Sequence, residues 1–290
     1  MKSLKLLVIT IAALFILAGC AGSPSTQQTS APAPTVAPTT EATETPVSPS
    51  PSAKPKPAPT SYEQLMKNDT GKTMIRKISL NKKNGIASLI VSKAGTVIAC
   101  DPMLLPKGVT ADIILVTHDH HVDQDYLDKC PDAKKSVQKA ETFTEKDVTV
   151  TGIAASHTVA AINPDAPSLV IYVMDVDGLR IAFFSCCGQE KLTAEQMKAL
   201  GKVDIAMITN DNDAGWISVE LASGLMKQLK PKMVVPLTHN RYKYDDTVDQ
   251  MVKLLKGKLV TVDSILSVGK EDLAGDQIQV VKLYNPVGTI

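Results

Sequence analysis

The sequence predicts an α+β domain in which two β-sheets pack face to face with helices outside them, a four-layer αββα sandwich. Three features lead there. Short strand-like runs dominate the first half of the domain, and strands alternate with helical patterns in the second. Imidazole, carboxylate and thiol side chains follow several of the strand ends, where the loops of such a sandwich converge on one rim.

Taken in order, the apolar runs Ala87 to Val91, Thr96 to Cys100, Ile113 to Thr117, Val148 to Ile153, Leu169 to Met174 and Arg180 to Ser185 read as the first set of strands. Ile205 to Thr209, Met233 to Leu237, Leu259 to Val262 and Ile278 to Leu283 form the second set. Between the later strands lie helical patterns. Thr193 to Leu200 opens with Thr-x-Glu, Ser218 to Leu229 repeats Leu and Met at helical spacing, and Thr247 to Leu255 does the same.

The N-terminus reads as an address. Lys2 and Lys5 precede an apolar stretch from Leu6 to Leu17, which is shorter than the roughly 20 residues that span a bilayer. Leu17-Ala18-Gly19-Cys20 follows, a sequence similar to a bacterial lipobox. The expectation is a signal peptide over residues 1–19 and a lipidated Cys20 that anchors the protein in a membrane, on its extracytoplasmic face. Acyl chains contribute about 0.8 kcal/mol per buried methylene, so several on one residue hold firmly. Residues 20–61 are rich in Pro, Ser, Thr and Ala. They bury too little apolar surface to offset the entropy of ordering, and predict a disordered, proline-stiffened spacer. Residues 62–290 form the folded domain.

Composition narrows the function. Lys plus Arg (31) nearly equals Asp plus Glu (30), so no basic footprint for nucleic acid is expected. One tryptophan, Trp216, argues against a base- or sugar-stacking platform. Cys100, Cys130, Cys186 and Cys187 lack the dense spacing of a disulfide scaffold.

Chemistry is concentrated in Thr117-His118-Asp119-His120-His121-Val122-Asp123, which holds three of the five histidines. Clustered imidazole and carboxylate suit a divalent transition metal, with zinc, manganese and iron all admitted by that donor mix. The remaining histidines, His157 and His239, each stand just after a strand-like run, as does Cys186.

Together these segments resemble the metallo-β-lactamase superfamily, most closely its metal-dependent hydrolases of the ascorbate-6-phosphate lactonase-like group. The resemblance runs from about Ile86 to His239. It rests on a hairpin, Ala87-Ser88-Leu89-Ile90-Val91 with Val97-Ile98-Ala99-Cys100-Asp101-Pro102, and on Ala111-Asp112-Ile113-Ile114-Leu115-Val116-Thr117-His118-Asp119-His120. It continues through His157, through Asp177-Gly178 to Gly188, and through Lys230-Pro231-Lys232 to His239. The resemblance implies the sandwich fold of that superfamily and a first zinc site of His118, His120 and His157.

The family pattern His-x-His-x-Asp-His is broken here, because Val122 occupies the aspartate place and Asp123 the histidine place. Either Asp123 replaces the histidine directly, or an insertion brings it into the aspartate's role; His121 is a further candidate donor. The pattern's bridging aspartate is replaced by Cys186, whose thiol suits zinc. The resemblance thus implies a second site of Asp123, Cys186 and His239. The other reading of Cys186 and Cys187 is a vicinal disulfide or a pair of buried apolar thiols.

The expected activity is metal-dependent hydrolysis of a small ester, lactone, amide or phosphodiester, with Asp123 orienting the attacking water and His239 steadying the oxyanion unless it ligates. Arg241 and Lys243 near the rim would suit an anionic substrate. The alternative is a non-catalytic surface lipoprotein that binds or captures metal on a degenerate form of the same fold.

Overall fold

A computed structural model describes residues 62–78, 86–103, 105–106, 108–212, 217–239 and 242–284. The signal segment, Cys20, the spacer, Trp216 and Arg241 lie outside the described residues. In chain order the first elements are α1 (Tyr62–Met66), β1 (Thr73–Lys77), β2 (Ser88–Val91), β3 (Val97–Cys100) and β4 (Ile113–Val116). Then follow α2 (Gln124–Lys129), β5 (Lys134–Val137), β6 (Thr142–Glu145), β7 (Val148–Ala155), β8 (Leu169–Val176) and β9 (Leu179–Ser185). The last part holds α3 (Ala194–Leu200), β10 (Ile205–Thr209), α4 (Val219–Leu229), β11 (Met233–Leu237), α5 (Tyr244–Leu255), β12 (Lys258–Val262), β13 (Leu266–Val268) and β14 (Gln279–Leu283).

These strands build a six-stranded sheet ordered β13-β1-β2-β3-β4-β5 and an eight-stranded sheet ordered β12-β14-β11-β10-β9-β8-β7-β6. The α+β sandwich expected from the sequence is the fold observed. Its layers follow from which face each side chain takes. Alternate residues such as Ile90, Ile98 and Leu115 of one sheet meet Val150, Tyr172 and Phe183 of the other in a core between the sheets. Intervening residues face outward. Phe184 and Ile208 pack under α4 residues Leu225 and Met226, while Leu89 and Val116 pack against Tyr126 and Leu127 of α2. Each fully buried aromatic or branched side chain contributes about 1.5–3 kcal/mol.

Sheet direction places the site. β4 runs parallel to β3, and β9, β10 and β11 run parallel to one another. β7 reaches the same direction through two antiparallel pairings, β7 with β8 and β8 with β9. The residues that follow β3 and β4 thus leave one edge of their sheet and those after β7, β9, β10 and β11 one edge of the other, and contacts such as Asp101 with Ser185 and His118 with His157 bring the two edges together.

Local sequence explains the helix that supports this edge. Thr193 accepts from the Gln196 backbone N–H at 3.1 Å, and Gln196 reaches back to the Thr193 backbone, a capping box. The same Gln196 amide donates to the Ala154 carbonyl at 2.8 Å and pairs with Gln189. Gln189 in turn accepts from the Ser156 backbone at 3.3 Å. The start of α3 is thereby tied to Ala154 at the end of β7 and to Ser156, the residue before His157.

Candidate metal centre

Each candidate donor is set by a strand end. His118 leaves β4 and is fully buried. The chain then tightens into a 3-10 turn over Asp119–His121, which turns His120 and His121 back beside it. Ring centroids lie 4.1 Å apart for His118 and His120, and 3.8 Å for His118 and His121. His157 arrives from β7 with its ring 4.7 Å from His118 and 5.0 Å from His120.

The donor atoms of His118, His120 and His157 lie within 4.8 Å of one another, as do those of His118, His121 and Cys186. The Nε2 atoms of His118 and His120 are 2.9 Å apart. Nδ1 of His118 is 2.7 Å from the Thr117 hydroxyl. Nε2 of His157 is buried with no partner. Burial, then the neighbouring His121, press the His118 pKa down to about 2 against the opposing charge of Asp101. Burial also lowers His157, followed by the neighbouring His120. Three imidazoles with converging nitrogens, one of them orphaned, fit a zinc-type ion.

Two buried carboxylates hold the other histidines. Asp101, just past β3, lies 2.8 Å from Nδ1 of His121 and accepts from the Thr117 backbone at 2.7 Å and the Ser185 hydroxyl at 2.5 Å. Burial alone would raise its pKa, but the charge and hydrogen bond of His121 outweigh it and lower Asp101 to about 2. Both Asp101 (φ 43°) and Ser185 (φ 46°) sit in the left-handed region, a strain of order 1–2 kcal/mol for each non-glycine residue, where their side chains meet. Asp211, just past β10, does the same for His239, with its carboxylate 2.6 Å from Nδ1 and 2.8 Å from the backbone nitrogen. Nε2 of His239 lies 3.6 Å from the Cys186 sulfur. Burial raises the Cys186 thiol to about 12, a rise that the Thr209 hydroxyl partly offsets, and burial raises Cys187 likewise. All four described cysteines are free thiols, so no vicinal disulfide joins Cys186 and Cys187.

Asp123 is the sequence candidate that the structure does not bring to this cluster. Its carboxylate accepts from the Tyr126 backbone at 3.0 Å as the N-cap of α2, and it lines a separate cavity with Met103, Val122, Gln124 and Asp125. The reason is local. The 3-10 turn over Asp119–His121 swings His121 inward beside His118, and two residues later Asp123 is already the N-cap of α2. His121 takes the inward place and the chain proceeds directly into α2. Asp101, part of the hairpin that carries the resemblance, and Asp211 are not site candidates from sequence; their further signal is a carboxylate one or two residues past an apolar strand.

The cluster opens on a cavity of about 380 Å³, lined by His118, Asp119, His120, Gln138, His157 and Asn163 among others. Asp119 accepts from the His120 backbone at 2.7 Å and lies 3.2 Å from its Nδ1. Gln138 donates to the Pro167 carbonyl at 2.6 Å, pinning the β7–β8 loop over one wall.

A sandwich with metal-type donors on its rim is the arrangement of the β-lactamase superfamily, and the family comparison agrees. The family model described as the β-lactamase superfamily domain matches residues 82–238, more than half of the chain, and the chain belongs to that superfamily. Among solved structures it is similar to a protein described as a zinc-dependent hydrolase of the metallo-β-lactamase superfamily from Thermotoga maritima. That match has 18% identity and a TM-score of 0.51, and covers 72% of this chain and 98% of that one. A protein described as a metal-dependent hydrolase from Parabacteroides distasonis matches at 20% identity and a TM-score of 0.48, covering 63% and 88%. The metallo-β-lactamase fold protein YhfI from Bacillus subtilis matches at 9% identity and a TM-score of 0.47, covering 74% and 98%. No curated protein matches.

Proposed function

We propose that the protein is a metal-dependent hydrolase of a small ester, lactone, amide or phosphodiester, held on the outer cell surface by lipid on Cys20. The observation that carries this reading is the meeting of His118, His120 and His157 at a cavity floor, with the His157 Nε2 orphaned. These three imidazoles would hold zinc, which lowers the pKa of a bound water toward neutrality and polarises the scissile bond. Asp119, the carboxylate among the described lining residues, takes the water-orienting role that the sequence suggested for Asp123. Thr117 and Asp119 fix the rotations of His118 and His120 through their Nδ1 contacts. Gln138 and the loop it pins bound the substrate space.

The test measures zinc content and turnover on a panel of lactones, esters, amides and phosphodiesters, for the full chain and for His118→Ala. The reading expects about one zinc or more per chain and turnover that His118→Ala abolishes. A metal-loaded protein with no turnover on any substrate would instead favour the metal-capturing lipoprotein.

A further inference from the structure

We propose that Gln138 selects the substrate, an uncharged acyl compound that carries an N–H or O–H close to its scissile carbonyl and donates it to Oε1 of Gln138. The proposal rests on the hydrolase reading and deepens it by naming the substrate class that the same cavity takes.

Gln138 is built into both walls of the site. It follows β5, and its backbone N–H donates to the Val116 carbonyl at 2.7 Å, two residues before His118. Its φ of 50° lies in the left-handed region, an uncommon conformation for a residue with a side chain. The side-chain amide donates to the Pro167 carbonyl at 2.6 Å. The next residue, Ser168, accepts from the His157 backbone N–H at 3.1 Å through its hydroxyl. One side chain is therefore held between the strand that leads to His118 and the loop that begins at His157.

A carbonyl oxygen only accepts, so the contact with Pro167 comes from Nε2 and fixes which way the amide lies. Oε1 is the corner left for a ligand, and it too only accepts. Gln138 lines the same cavity as His118, His120 and His157. A substrate that lacks a donor displaces water from Oε1 without replacing its hydrogen bond, and is bound less well for that reason.

The rest of the cavity disfavours bulk and negative charge. Its volume is about 380 Å³, close to the lower end of the roughly 300–1,000 Å³ of ligand pockets. Ala160, Ala161 and Ala166 supply an apolar wall, and Asn163 is a neutral polar group in it. An anion entering here meets the Asp119 carboxylate and, among the described lining residues, no lysine or arginine. A phosphodiester thus lacks the cationic clamp that its negative charge calls for.

The experiment uses two esters that differ by one group, N-acetylglycine para-nitrophenyl ester and para-nitrophenyl levulinate, in which a methylene replaces the N–H. Turnover by the zinc-loaded full chain in detergent is expected to favour the first at least about fivefold in kcat/KM, the scale of one hydrogen bond, with the difference in KM. The unreactive amides N-acetylglycinamide and levulinamide, titrated calorimetrically into the metal-stripped chain, should show the same preference in Kd. Gln138→Leu removes Oε1, and Gln138→Asn shortens the side chain while suiting the left-handed backbone. Both variants should bring the two ratios to about one. Variants that slow both esters alike and leave the ratios standing would show that Gln138 only pins the loop, and overturn its assignment. A parent with no preference overturns it as well. Faster turnover of bis(para-nitrophenyl) phosphate than of either ester, lost in His118→Ala, overturns the uncharged class and leaves the hydrolase reading standing. No turnover of any probe overturns the hydrolase reading, and the amide binding ratio then decides the role of Gln138 by itself.

Discussion

Nδ1 of His121 lies 2.8 Å from the Asp101 carboxylate in a contact closed to solvent on both sides. Asp101 also accepts from the Thr117 backbone and the Ser185 hydroxyl, so both of its oxygens are acceptors of N–H or O–H donors. Asn at this place converts one acceptor into a donor that faces another donor. Asp101→Asn is expected to lower stability by about 2 kcal/mol, the scale of a buried hydrogen bond to a charged group. It should also weaken metal binding at His118 about 10–100-fold, because the same carboxylate holds the Thr117 hydroxyl that contacts His118 Nδ1. Denaturant melts and metal titration read the two effects separately. Unchanged affinity would mean that the Thr117–Asp101 contact does not hold His118.

Asp123→Ala separates two roles for one carboxylate. As the N-cap of α2 it contributes about 1 kcal/mol, and its loss should cost stability on that scale. Metal stoichiometry and turnover should stay at the parent level. A lost equivalent of metal would return Asp123 to the site.

That residue also marks how far the sequence could be read. All ten expected strands and all three expected helices occur, with ends shifted by a few residues at most. They were legible because buried strands carry continuous apolar runs and α4 carries a helical stripe. β1, with Arg76 and Lys77, and β5, with Lys134 and Lys135, were not legible, because lysine and arginine interrupt the pattern that marks a strand. β6, Thr142–Glu145, is a half-exposed edge whose alternation is too short to stand out. At the site, His118, His120, His157, Cys186 and His239 come together on the rim. The inward turn of His121 and the capping position of Asp123 were hidden because spacing in a tight turn decides which side chain faces inward, and a sequence pattern assumes that spacing.

Gly188 answers for the placing of His157. Its backbone N–H donates to the Ser156 carbonyl at 3.0 Å, and a Cβ there would overlap the His157 carbonyl. Backbone on both sides leaves nothing flexible to move aside. Gly188→Ala is expected to shift His157 and weaken metal binding at His118, His120 and His157 by at least about tenfold. Gly224 in α4 has open space around its Cβ position. Gly224→Ala should therefore keep full metal affinity and gain up to about 1 kcal/mol of helix stability. Equal metal affinity in the two variants would show that the Gly188 contact does not fix the ligand.

Lys77, at the end of β1, supplies the pH test. Its side chain is 2% exposed, and its Nζ sits 3.4 Å from the centroid of the Tyr244 ring. Two effects oppose each other there. Burial, the larger, pushes its pKa well below the ordinary 10.5, while Asp211 and Asp245 draw it back up; a cation over a ring favours the charged form as well. A lysine with a lowered folded pKa binds protons more readily when unfolded. Stability therefore rises with pH from the folded pKa up to about 10.5, and the penalty is largest below that window. Lys77→Met keeps most of the apolar stem and removes the titrating group. It is expected to raise the melting temperature at neutral pH, with the advantage over the parent shrinking as pH approaches 10.5. Thermal melts of both proteins across that range decide the matter. A variant less stable than the parent at neutral pH, with a pH-independent gap, would show that ring and carboxylate contacts outweigh the burial of the charge.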